Sequence, residues 1–84
     1  MANKADEFIK ELEAGDVMYY EIPEKERKKI LELLTSPENK KKALDSLVAA
    51  AKSKVIDARE SAADLIDAIG DKDAIKEVAE FWMP

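Results

Sequence analysis

Apolar residues recur at helical spacing along most of the chain and divide it into four segments. The first amphipathic segment predicts a helix over about residues 3–14, which ends at Gly15. A second helix is predicted over about 23–34, because Pro23 suits the first turn of a helix. The last segment predicts a helix over about 71–82 with an aspartate at its N-terminal cap.

The longest apolar pattern lies between the second and the last of these helices. Its spacings alternate between four and three residues, which is the period of a helix packed along its length against other helices. The positions are Leu44, Val48, Ala51, Val55, Ala58, Ala62, Leu65 and Ile69. No Gly or Pro lies between Glu38 and Ile69. We therefore predict one helix over about 37–69, roughly 50 Å long; two helices that meet near Ser53 are the alternative.

These elements predict an all-α fold: a four-helix bundle-like domain built on one long third helix, with three shorter helices packed on it. The 84 residues are enough for one domain and too few for two. We expect residues 1–84 to form a single helical domain.

The amino-acid composition limits the kinds of catalytic and metal-binding site that the chain can form. The chain has no Cys, His or Gln. Without Cys and His it has no thiolate nucleophile, no imidazole base and no soft metal ligand. We identify no catalytic, cofactor-binding or metal-binding residues, and we predict that the protein is not an enzyme.

The charge bears on partners and location. The formal net charge is -5, which disfavours binding to nucleic-acid phosphates and to anionic membranes. The sequence shows neither a transmembrane-length apolar run nor a targeting signal. We expect a soluble protein, suited to cytoplasmic expression, that is a monomer rather than a homodimer.

Two segments depart from this regular pattern and are the candidate protein-binding sites. One is the linker after the first helix and the other is the C-terminal tail, and together they hold four of the five aromatic residues. Met, Tyr and Trp are enriched in protein interfaces. Trp82 belongs to the inward stripe of the last helix, whereas Phe81 and Met83 do not. The candidate residues are Val17, Met18, Tyr19, Tyr20, Ile22, Phe81 and Met83. Two interpretations are open for the linker: it closes the open end of the bundle, or its tyrosines form one exposed patch with Phe81 and Met83.

The chain as a whole resembles a computationally designed helical mini-protein. Twelve of its fourteen basic residues are Lys, Ala and Glu fill exposed helix positions, and almost every helix has a recognisable cap or stop. Local departures from such regularity are where function is expected. The resemblance favours a designed binding module that presents an aromatic and methionine patch to an unidentified protein. A designed scaffold without a ligand and a natural small acidic interaction protein are the alternatives.

Overall fold

Three of the four predicted helices lie close to their predicted positions. The computed structural model describes residues 4–83, so the predicted helix start at residue 3 and the terminal Pro84 lie outside the described residues. Within that range the chain is all-helical, as predicted, with no strand. The elements are α1 (Lys4–Glu13), a single 3₁₀ turn (Tyr19–Glu21), α2 (Glu24–Thr35), α3 (Lys40–Ala51), α4 (Ile56–Ile69) and α5 (Lys72–Trp82). None of the helices in this range is both long and apolar enough to cross a membrane.

Two helix ends follow the chemistry expected from the sequence. Gly15 and Gly70 have φ angles of 79° and 76°, the left-handed conformation that side chains disfavour. Asp71 caps α5, because its carboxylate accepts a hydrogen bond of 3.0 Å from the backbone N–H of Ala74. The turn between α4 and α5 is therefore fixed by the Gly-Asp pair itself.

Removal of this cap gives a first test of the fold. Asp71→Ala is expected to lower the free energy of unfolding by about 1 kcal/mol, since the Ala74 N–H loses its partner. Urea denaturation followed by circular dichroism measures the change. Asp73→Ala is the matched control, because Asp73 lies in the same first turn without being the cap. An equal loss in the two variants would contradict the capping role of Asp71.

The core is built around α3 and α4, which pack on each other more extensively than any other pair of described elements. They form a helical hairpin, since Lys41 at the start of α3 and Asp71 just after α4 line the same groove. Leu47 of α3 and Leu65 of α4 are fully buried, and Leu12 and Leu34 bring α1 and α2 onto the same core.

One long third helix is not what the structure contains. Residues 40–51 and 56–69 are separate helices, and Lys52–Val55 turns the chain between them. The N–H groups of Lys52 and Ser53 donate to the carbonyls of Ala49 and Ala50, which tightens the last turn of α3. The alternative of two helices that meet near Ser53 is therefore the correct one.

The break has a specific physical cause, which is an exchange of hydrogen-bond partners. In an unbroken helix the N–H of Val55 would donate to the carbonyl of Ala51, four residues earlier. Instead the Val55 N–H donates to Ser53 Oγ at 3.0 Å, and the Ala51 carbonyl accepts from the Trp82 indole Nε1–H at 2.8 Å. Both backbone groups are satisfied without the helix, so a break is possible where the sequence contains neither Gly nor Pro.

Candidate protein-binding surface

The C-terminal end of α5 exposes large apolar side chains. Phe81 is 51% exposed and Met83 is 68% exposed, although both are apolar. The rings of Phe81 and Trp82 are perpendicular, with their centroids 5.0 Å apart, an arrangement that aromatic pairs favour. The tail therefore presents a structured apolar surface to solvent.

Trp82 fixes this end of the chain to the break between α3 and α4. In addition to its bond to the Ala51 carbonyl, its ring lies 4.8 Å from the guanidinium carbon of Arg59. Trp82 was expected to face inward, yet 47% of its surface remains exposed. One edge of the indole is held by the fold, and much of the ring stays accessible.

Lys52 holds Phe81 near the same break between α3 and α4. Its ammonium nitrogen lies 5.4 Å from the centre of the Phe81 ring and 3.1 Å from Glu77 Oε2. The Lys52 side chain is thus shared between a ring and a carboxylate of α5. These contacts hold Phe81 and Trp82 from the side of the break, in positions that do not bury them.

Ile56 is an exposed apolar residue on the face of α4 that carries Arg59, the residue whose guanidinium contacts the Trp82 ring. Ile56 is 56% exposed and lies one turn before Arg59. We name the exposed group of Ile56, Phe81, Trp82 and Met83 the tail surface.

The linker behaves differently, because part of it is built into the core. Tyr19 is buried, its backbone N–H donates to Ser61 Oγ at 3.1 Å, and the Arg27 guanidinium carbon lies 5.8 Å from its ring centre. The Ser61 hydroxyl in turn donates to Met18 Sδ at 3.7 Å. For Tyr19 these contacts match the alternative in which the linker closes the bundle.

The other linker residues are divided between the core and solvent. Val17 and Met18 are half-buried, and half-buried Ile22 packs against the core. Tyr20 is 63% exposed and is the linker aromatic that solvent reaches.

The linker and the tail do not lie side by side. The linker contacts α4 at Ser61, and the tail contacts it at Arg59. Residues two apart on an α-helix point about 200° apart, so the two segments occupy nearly opposite sides of α4. The seven predicted residues are therefore divided into an exposed tail and a mostly enclosed linker, with Tyr20 exposed separately.

Several residues that shape these regions were not identified from the sequence. Ile56 was not among the candidate residues, and nothing in the sequence indicated that Lys52 and Arg59 would contact aromatic rings. Ser61 did carry a signal, because it shares a helix face with Ala58 and Leu65, both fully buried. A serine on such a face needs a hydrogen-bond partner, which the linker supplies.

Comparisons with known proteins identify no relative of this chain. No protein-family model, curated protein or solved structure matches the chain. Among residues 4–83 no group of three or more acidic side chains is arranged to hold a metal ion. The tail surface holds four of the seven large apolar side chains that are exposed among the described residues, and it is the candidate functional site on that basis.

Proposed function

We propose that this chain is a protein-binding module, of the kind made by computational design, that binds a protein partner through the tail surface. The observation that carries the proposal is the exposure of Phe81 and Met83, each more than half accessible, on a helix end that is otherwise held in place. Exposed apolar clusters of this kind mark interaction sites more often than isolated apolar residues do. The proposal assigns no catalytic residue and no cofactor.

Preorganisation supports this assignment. The Trp82 bond to Ala51, the Arg59 guanidinium and the Lys52–Glu77 ion pair restrain the rings before any partner arrives. A restrained side chain loses less conformational entropy on binding, so more of its burial contributes to affinity. Trp and Arg are also among the residues on which binding energy concentrates.

The linker has a smaller part in the proposed interface. Tyr19 is needed by the core and is unavailable to a partner, whereas Tyr20 is accessible on another side of the protein. We infer that Phe81 and Met83 are the principal contacts among the residues singled out from the sequence. Tyr20 would be a second, separate contact.

The test begins by finding a partner through the tail itself. A photoreactive phenylalanine analogue at position 81 is expected to crosslink a partner from a protein mixture. The same analogue at Lys76 is the matched control, because position 76 is exposed on α5 but points about 140° away from position 81. If the analogue at position 81 crosslinks nothing, or only proteins that the analogue at position 76 also crosslinks, the proposal is contradicted.

A partner recovered in this way is then titrated by calorimetry against charged variants. Phe81→Glu and Met83→Glu are each expected to raise Kd at least about tenfold, because a carboxylate would be buried in an apolar contact. Met83→Glu should leave the melting temperature nearly unchanged, since Met83 is mostly exposed. Phe81→Glu also loses the ring contact with Trp82 and should lower the melting temperature by a few degrees. Lys76→Glu should leave Kd within about twofold. Unchanged Kd values for both tail variants would contradict binding through the tail surface.

A further inference from the structure

The turn between α3 and α4 is held by hydrogen bonds and not by residues that forbid a helix. Lys52–Val55 contains neither Gly nor Pro, and the observed bonds of Ser53 Oγ and the Trp82 indole replace one backbone bond of a continuous helix. Because none of these four residues is excluded from a helix, the turn can become helical without steric strain.

The flanking sequence favours that conversion. The apolar pattern continues across the turn with an unchanged period from Leu44 to Ile69, and its members Ala51 and Ala58 are fully buried on either side. Exchange of identical elements is a low-cost route to dimers, and short hinge loops such as this four-residue turn favour it.

We propose that a second copy of this chain is a partner for the α3–α4 hairpin, and that two copies form a dimer by exchanging α4 and α5. In this dimer residues 40–69 of each chain form one continuous helix. The α3 helix of one copy then packs on the α4 helix of the other, as it packs on its own α4 in the monomer. The exchange does not require the proposed binding function, although both involve the bond from the Trp82 indole to the Ala51 carbonyl.

The two forms differ chiefly at the hinge. The Ser53–Val55 bond exists only in the closed monomer. The Trp82 indole loses its bond to the Ala51 carbonyl when that carbonyl accepts from the Val55 N–H in the continuous helix. In return the continuous helix gains backbone bonds through residues 52–55. The two side-chain bonds therefore stabilise the monomer relative to the dimer, and removing either should shift the equilibrium toward the dimer.

The experiment measures dimerisation of hinge variants after complete unfolding and refolding over a series of protein concentrations. Ser53→Ala removes one closed-form bond per chain, and each dimer contains two hinges. Its dimerisation constant is expected to rise about 25-fold, since one net hydrogen bond is worth about fivefold. Trp82→Phe retains a ring but removes the N–H, and should act in the same direction. Light scattering after size-exclusion chromatography measures the monomer and dimer fractions.

Val55→Pro is the matched control for the continuous helix. The Val55 φ angle of -74° suits proline in the turn, whereas proline at this point of a helix lacks the N–H and clashes with the preceding turn. Ser53→Ala combined with Val55→Pro should therefore be monomeric at every concentration. A dimer that persists in this double variant would overturn the exchange and indicate association through another surface.

A distance within one chain gives a second readout. The chain has no Cys, so Lys41→Cys and Asp67→Cys provide unique positions for spin labels. Doubly labelled Ser53→Ala chains diluted with unlabelled Ser53→Ala chains should give about 39 Å in the dimer, the length of 26 helical residues. A short distance in the dimer, as in the closed hairpin, would refute the exchange, and so would the absence of any dimer in both Ser53→Ala and Trp82→Phe.

Discussion

Leu65→Ala is expected to lower the free energy of unfolding by about 3 kcal/mol and the melting temperature by about 15 °C. Leu65 is fully buried on α4, where it faces the core that α4 shares with α1 and α3. Truncation removes apolar burial and leaves a cavity that the surrounding helices can close only in part. Thermal and urea denaturation followed by circular dichroism measure the two quantities.

Ile56→Ala is the matched control, because it removes an aliphatic side chain of the same size from the same helix. Ile56 is mostly exposed, so its truncation should change the free energy of unfolding by less than about 0.5 kcal/mol. Comparable losses for the two variants would contradict the assignment of Leu65 to the core and Ile56 to the surface.

Ser61→Ala is expected to cost about 2 kcal/mol, more than the loss of an ordinary serine. The Ser61 hydroxyl is fully buried, accepts from the Tyr19 N–H and donates to Met18 Sδ. Alanine would leave the Tyr19 N–H without its acceptor in a buried place, and an unsatisfied buried donor is costly. Urea denaturation gives the loss of stability.

A second serine of the core helices provides the comparison. Ser46 of α3 is only half-buried, and Ser46→Ala should change stability by less than about 0.5 kcal/mol. If Ser61→Ala is as mild as Ser46→Ala, the hydroxyl is not what attaches the linker to α4. Increased hydrogen exchange at the Tyr19 amide in Ser61→Ala alone would support the attachment.

Local chemistry allowed the sequence to predict most of the helix boundaries. Gly15, Gly70 and Asp71 act through their own backbone or through residues within one turn, and such effects can be recognised without the fold. The apolar periodicity likewise identified Ala62 and Leu65 as residues that face other helices, and both are buried.

The break between α3 and α4 could not be derived in the same way. It depends on the Trp82 indole, 31 residues away from the Ala51 carbonyl, and on a serine that competes locally with the helix. Sequence periodicity shows which residues share a helix face, but it does not show which carbonyls find a distant donor. An uninterrupted pattern therefore predicted an uninterrupted helix.

The candidate site was predictable only in part for a related reason. Phe81 and Met83 could be singled out because they fall outside the apolar stripe of α5, and both are exposed. Successive linker residues have no such periodicity, so the burial of Tyr19 and the exposure of Tyr20 could not be separated beforehand. The partner of Tyr19, Ser61, lies 42 residues further along the chain.

In the free protein we expect the tail surface to lie in solvent while the linker is enclosed, and the methionine methyl groups report on both. Solvent paramagnetic relaxation, measured by NMR with a soluble gadolinium agent, compares Met83 directly with Met18. The structure predicts strong enhancement at the Met83 methyl and much weaker enhancement at the Met18 methyl, whose sulfur accepts from Ser61. Equal protection of the two methyls would place the tail in the core and contradict the proposed binding surface.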